Sequence, residues 1–327
     1  MKIPVNKIAI VTSGGDAPGL NACIRAVVRS SCFYGIKVCG VQRGFEGLID
    51  GDIIDMDASS VSNIIHRGGT ILKSSRSLQF KTEEGRAIAF RQLKKAKIDA
   101  LVLLGGDGSF AGAAKFILEN DFPVIGIPKT IDNDLFGTDF AIGYDSAINT
   151  AMQVIDKIRD TAESHNRIFF VEVMGRDAGF IALRTGIGVG AEAILVPETT
   201  TDFNHLLSVF EKGWSREKSS MIIVVAEGDE EGGAFTIATK VKQKFPQFDT
   251  RVCILGHVQR GGSPTCSDRV LASKLGIAAV EALLEGKTGV MVGEVNKEIV
   301  YTPFNKAVKH HMNVNENMLR MLEILSA

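Results

Sequence analysis

Five short runs rich in β-branched and other apolar residues mark the chain: KIAIVT at 7–12, IDALVLL at 98–104, FPVIGI at 122–127, RIFFVEVM at 167–174 and SMIIVVA at 220–226. Four of them run into glycine within two residues, and each is followed by a helical pattern. That alternation predicts mostly parallel sheets flanked by helices. After the first run, Leu20, Cys23, Ile24, Val27 and Val28 form one apolar stripe; after 140, Ile148, Ala151, Met152, Ile155 and Ile158 share one face of a long helix. A chain of 327 residues exceeds one ordinary core. The pattern therefore predicts an α/β protein of two Rossmann-like three-layer lobes, with the active site in the cleft between them. The crossing is placed near 140, where the glycine-rich first third ends, and a return near 255, where GHVQRGGSP looks like a loop feeding the same cleft. The expected lobes are 1–141 plus about 256–305, and about 142–255 plus the C-terminal 306–327.

Composition narrows the class. With 45% hydrophobic residues, 23% charged residues and 34 glycines, the chain fits a globular α/β protein. Net charge is -1, from 37 Lys+Arg against 38 Asp+Glu, so a broad footprint for nucleic acid is missing and any anion site must be local. No run approaches the ~20 apolar residues that span a bilayer, which predicts a cytoplasmic protein without a membrane partner. Cys23, Cys32, Cys39, Cys253 and Cys266 form neither a CxxC nor a Cys/His cluster, so neither a disulfide framework nor a structural zinc site is supported.

Candidate chemistry lies at strand ends. The turn Thr12, Ser13, Gly14, Gly15, Asp16, Ala17, Pro18, Gly19 joins a strand to a helix, where backbone N–H groups and the helix N-terminus can face an anion. In Gly105, Gly106, Asp107, Gly108, Ser109 a carboxylate flanked by glycines can hold hydrated Mg²⁺ while bare backbone cradles phosphates, a turn found in several kinase families. The third turn, Pro128 to Asp134, carries Asp132 and Asp134; phosphoryl transfer to an alcohol needs a proton acceptor and groups that organise the metal. Arg25 and Arg29, four apart on the polar face of the first helix, repel one another unless an anion lies between them.

TSGGDAPGLNA, RGGT followed by Arg76, GGDGS, TIDND, VEVMGR and GHVQRGGSP, in this order over residues 12–269, resemble the bacterial 6-phosphofructokinase family. The resemblance implies transfer of the γ-phosphoryl group of ATP, with Mg²⁺, to the 1-hydroxyl of fructose 6-phosphate. Asp132 matches the family's catalytic base, with Thr130, Arg76 and Arg176 beside it, and Asp107 matches the magnesium-organising carboxylate. Gly15, Arg76, Ser77, Gly106, Asp107, Gly108 and Ser109 fall where the family holds ATP, which makes the first lobe the ATP-binding one. Thr130, Asp132, Met174, Gly175, Arg176, Glu227, His257 and Arg260 match its sugar-phosphate contacts, and Arg167 and Arg251 match positions that reach the sugar phosphate from a neighbouring subunit of a homotetramer. An effector site for ADP or phosphoenolpyruvate is implied at Arg25, Arg29, Arg159, Glu192, Arg216 and Lys218. The match departs from relatives at Ala58 and Ser220, where they carry a basic residue, and at Arg216, which stands for Lys.

Two positions give opposite signals about the phosphoryl donor. Gly108 resembles ATP users, because the pyrophosphate enzymes usually carry Asp there, whose side chain would crowd the α-phosphate. Lys129 resembles pyrophosphate users, since bacterial ATP enzymes commonly have Gly there. Gly108 carries more weight, for steric exclusion is nearly absolute while either donor can accommodate a Lys. ATP is thus the expected donor, with pyrophosphate the alternative. A non-catalytic sugar-phosphate-binding regulatory subunit is the other rival; the presence of Asp132, Asp107, Arg76 and Arg176 together speaks against it.

Overall fold

The computed structural model describes residues 5–165, 167–215, 220–307 and 316–326. Along them run β1 (Lys7–Thr12), α1 (Leu20–Phe33), β2 (Lys37–Val41), α2 (Gly44–Asp50), β3 (Ile53–Met56), α3 (Glu83–Lys95), β4 (Ala100–Gly105), α4 (Asp107–Asn120), β5 (Val124–Pro128) and α5 (Tyr144–Glu163). There follow β6 (Arg167–Val173), α6 (Phe180–Gly188), β7 (Ala193–Leu195), α7 (Phe203–Ser215), β8 (Met221–Ala226), α8 (Gly233–Lys244), β9 (Asp249–Ile254), α9 (Cys266–Leu284), β10 (Val290–Val295), β11 (Glu298–Pro303) and α10 (Glu316–Ser326). The chain divides into two units, Met1–Ser146 with Arg260–His310 and Ala147–Gln259 with His311–Ala327.

In the first unit the sheet order is β11-β10-β5-β4-β1-β2-β3. The inner strands are parallel, while β3 and β11 pair antiparallel at the two edges. Side chains alternate across a strand, so each strand feeds two cores. Ile8, Ile10, Val102, Leu104, Ile125 and Ile127 pack with Cys23, Ile24 and Val27 of α1 and Leu275 and Ala279 of α9. Their neighbours Ala9, Val11, Leu101, Leu103 and Val124 pack with Phe45, Leu93, Phe110 and Phe116 of α2, α3 and α4. Burial on both faces explains why these strands read as continuous apolar runs. Each large side chain so buried contributes about 1.5–3 kcal/mol. The predicted α1 stripe is fully buried; of the predicted α5 face Ile148, Ala151 and Ile155 are buried, while Met152 and Ile158 are half-buried.

The second unit is a wholly parallel sheet, β7-β8-β6-β9. Ile168, Phe170, Ile223 and Val225 pack against Leu206 and Phe210 of α7 and Ile237 and Val241 of α8. Val171, Val173, Ile222 and Val224, which point the other way, are buried too, and α6 packs against β7 and β8. Glu172 has a structural role: its Oε2 accepts from Ala234 N at 2.9 Å, at the start of α8. Among the described residues no helix is long and apolar enough to cross a membrane.

One buried carboxylate fixes the segment entering α5. Asp268 of α9, 1% exposed, accepts from Gly143 N at 2.9 Å, Ser146 N at 2.8 Å and Ser146 Oγ at 2.6 Å. Burial pushes its pKa above the ordinary carboxylate value, against the pull of these bonds. Asp268→Ala strands the three donors, so its first denaturation transition in urea is expected to lose about 2–4 kcal/mol. A midpoint equal to that of the unsubstituted protein would refute this role.

Candidate active site

β5, β4 and β1 are parallel neighbours, so their C-terminal ends share one sheet edge, where open α/β sheets bind ligands. The three turns singled out in the sequence are the extensions of these strands. Register brings them together: Ser13 N donates to Leu104 O at 2.9 Å, and Lys129 N donates to Gly105 O at 2.9 Å. Side chains tie them further, with Ser109 Oγ donating to Ser13 Oγ at 2.9 Å.

The first two turns feed α1 and α4, whose N-cap residues, Gly19 and Gly106, offer no side-chain cap. By contrast Thr82 and Thr265 cap α3 and α9 through their hydroxyls. First-turn N–H groups left without an intrahelical or side-chain acceptor, together with the positive end of the helix dipole, favour an anion. Glycine is required at Gly14 and Gly19, whose φ values are 84° and 103°. Gly19 also lies so close to Ile142 that a Cβ would stand 2.7 Å from its Cγ2. Gly108 is exposed and a Cβ there would meet open space, so its neighbours leave room for at least a small side chain at that position. Asp107 is half-buried in the first turn of α4. Arg76 is exposed and Ser77 half-buried, the Ser77 Oγ accepting from Phe80 N at 3.2 Å. Asn21 positions the RGGT segment ahead of them, donating to Arg67 O and Gly68 O at 3.1 Å and accepting from Ile71 N at 2.8 Å.

The third turn is built around Asn133, whose φ is 54°. Its Oδ1 accepts from Ala141 N at 2.7 Å and its Nδ2 donates to Asp139 O at 3.0 Å, closing the loop. Asp132 is thereby held 2% exposed, and Asp134 4%. Asp132 N donates to Thr130 Oγ1 at 3.1 Å, which directs the Thr130 hydroxyl proton elsewhere. Arg260 sits against the first turn: its Nη1 donates to Asp16 O at 3.2 Å and lies 3.0 Å from the position of a Cβ on Gly15.

The second unit presents the VEVMGR segment at the C-terminal end of β6. Glu227 Oε1 accepts from Arg176 N at 2.7 Å and Gly175 N at 3.3 Å. This holds Arg176 in the left-handed region, φ 53°, with its side chain exposed. Met174 is buried and its N–H donates to Gln259 Oε1 at 2.8 Å; His257 is exposed. Arg167 and Arg251 converge on one carboxylate, Arg167 Nε lying 2.8 Å from Asp249 Oδ2 and Arg251 Nη1 2.6 Å from Asp249 Oδ1. The Arg167 bond above all, with Arg251, holds the Asp249 carboxyl below its usual pKa.

Of the residues implied for an effector site, Arg25 and Arg29 line a cavity of about 350 Å³ with Phe33, Tyr34, Ser273 and Ile277. In the second unit Arg159 Nη2 donates to Val189 O at 2.6 Å, at the C-terminal end of α6, and Glu192 Oε2 accepts from Ile222 N at 2.6 Å. Arg216 and Lys218 lie outside the described residues. For a metal, no group of three or more His, Cys, Asp or Glu is gathered among the described residues. One half-buried Asp107 beside bare backbone suits Mg²⁺, which usually keeps waters and comes with polyphosphate oxygens rather than relying on a protein cage.

Comparison with known proteins gives the family. The "ATP-dependent 6-phosphofructokinase" of Cytophaga hutchinsonii is 52% identical over 98% of both chains. "ATP-dependent 6-phosphofructokinase 2" of Bacteroides thetaiotaomicron is 53% identical over 98% of this chain and 99% of its own. Phosphofructokinase of Pichia pastoris, solved in the T-state, superposes with a TM-score of 0.87 at 34% identity over 99% of this chain, which spans 37% of that longer one. The phosphofructokinase profile matches residues 7–283, and the chain belongs to the phosphofructokinase family.

Proposed function

We propose that the chain is an ATP-dependent 6-phosphofructokinase, transferring the γ-phosphoryl group of ATP to the 1-hydroxyl of fructose 6-phosphate to give fructose 1,6-bisphosphate and ADP. The observation that carries this reading is the convergence of three turns on one sheet edge, two opening uncapped helices and the third holding buried Asp132. Gly15, Gly106, Gly108 and Ser109 cradle the ATP phosphates, with Arg76 and Ser77 at the RGGT segment. Mg²⁺, organised by Asp107, supplies charge neutralisation at the phosphates when bound. The 1-hydroxyl proton passes to the Asp132 carboxylate while the Thr130 hydroxyl and Arg76 orient the transferred group. Met174, Gly175, Arg176, Glu227, His257 and Arg260 hold the sugar phosphate, with Arg167 and Arg251 supplied to a neighbour within a cytoplasmic homotetramer. Arg25, Arg29, Arg159 and Glu192, with Arg216 and Lys218, take an anionic effector, ADP or phosphoenolpyruvate.

Initial rates with fructose 6-phosphate and ATP, pyrophosphate or no donor test the reading. ATP is expected to give the higher turnover at saturation. Faster turnover with pyrophosphate would overturn the donor, and no turnover with either would favour a regulatory sugar-phosphate-binding subunit.

A further inference from the structure

We propose that Lys129 is a positioning residue for ATP, a staple that sets the main chain of the first phosphate turn and does not select the donor. The inference rests on the phosphoryl-transfer reading above. Lys129, the residue that follows β5, is 4% exposed. Its Nζ donates to Ser13 O at 2.9 Å and, in a shorter contact, to Gly15 O. Its own N–H donates to Gly105 O at 2.9 Å, and its carbonyl oxygen lies 3.9 Å from the place a Cβ would take on Gly106. One residue of the third turn thus grips the first through its side chain and the second through its backbone.

The consequence for the first turn follows from peptide geometry. In a planar trans peptide the C=O and N–H point in opposite directions. With the Ser13 and Gly15 carbonyls turned onto the ammonium, the N–H groups of Gly14 and Asp16 face away from it, and the peptide joining Gly14 to Gly15 is held between two pinned neighbours. Gly14 makes this course available, with φ 84°. Ser109, bonded to Ser13 Oγ at 2.9 Å, holds the same turn from α4. A buried ammonium is costly unless hydrogen-bonded, so the two carbonyls and the charge stabilise one another. An ammonium directed into main-chain carbonyls is also partly neutralised by their dipoles. Two of the three N–H donors of the ammonium are thus committed to the first turn.

The test uses the full chain with Lys129→Met, of similar length but without donors. KM for ATP is expected to rise about tenfold or more, the scale of losing charge-assisted hydrogen bonds, while kcat and KM for fructose 6-phosphate change by less than about threefold. Hydrogen exchange in the ligand-free protein is expected to quicken in a peptide covering residues 12–19 and to stay unchanged in β8. Lys129→Gln, which keeps an amide donor, should fall between the two, and it replaces the Met variant if that one does not fold. A fall in kcat at constant KM for ATP, or new turnover with pyrophosphate, would overturn the staple in favour of a charge that acts on the donor. Unchanged KM together with unchanged exchange would also overturn it. A wild-type chain without ATP-dependent turnover would instead refute the phosphoryl-transfer reading, and the exchange measurement would still decide whether Lys129 fixes the turn.

Discussion

Asp132→Ser is expected to lower turnover with ATP and fructose 6-phosphate by roughly two to four orders of magnitude, the range for loss of a general base. The carboxylate is 2% exposed, on a loop closed by both ends of the Asn133 amide, so water cannot easily take its place as acceptor. Since proton transfer belongs to the transition state, affinity for fructose 6-phosphate should change much less than kcat. The serine is smaller and neutral, so it removes the base without crowding Ile131 or Asp134. Steady-state kinetics with a direct sugar-phosphate binding measurement decides the matter. Near-normal turnover would remove Asp132 from the base role, and a loss of binding equal to the loss of turnover would make it a structural carboxylate.

The second large effect concerns Arg167 and Arg251. In one chain both are held on Asp249, which orients them as a pair and leaves a net positive charge on the trio. Surface ion pairs of this kind contribute at most about 1 kcal/mol, so removing them should hardly affect stability. If instead they complete a neighbour's sugar-phosphate pocket, Arg167→Ala/Arg251→Ala loses charge-assisted bonds to a dianion, and KM for fructose 6-phosphate should rise about a hundredfold. Complementation separates the two. Asp132→Ser subunits mixed with the double-arginine variant, dissociated and reassociated, form hybrids in which some pockets pair an intact Asp132 with intact arginines from another chain. Sugar affinity and activity should then partly return. Verified hybrids without recovery, or a fully active monomer on sizing, would refute the shared pocket.

What could be read from the residue order was whatever local chemistry dictates. The apolar runs of β1, β4, β5, β6 and β8 were legible because these strands lie inside parallel sheets and are apolar on both faces. Other strands were not. β7 spans only Ala193–Leu195, β9 carries Asp249 and Arg251 with much of its length half-buried, and β10 and β11 join through Asn296 and Lys297, both at positive φ, without the glycine that usually announces such a turn. Glycine turns and paired aspartates likewise marked the strand ends as the candidate site, since bare backbone beside a carboxylate suits a phosphate and its metal. Tertiary structure alone decided which groups meet. Lys129 looked like a charge for the donor, yet its ammonium lies on the carbonyls of a turn more than a hundred residues away in the chain. Asn21, a motif letter in the sequence, anchors the RGGT segment, and Arg167 and Arg251 share one aspartate because β6 and β9 lie in register. The physical reason is that a side chain's propensity is local, whereas the partner that gives it a role is chosen by strand order and register, which no short window of sequence contains.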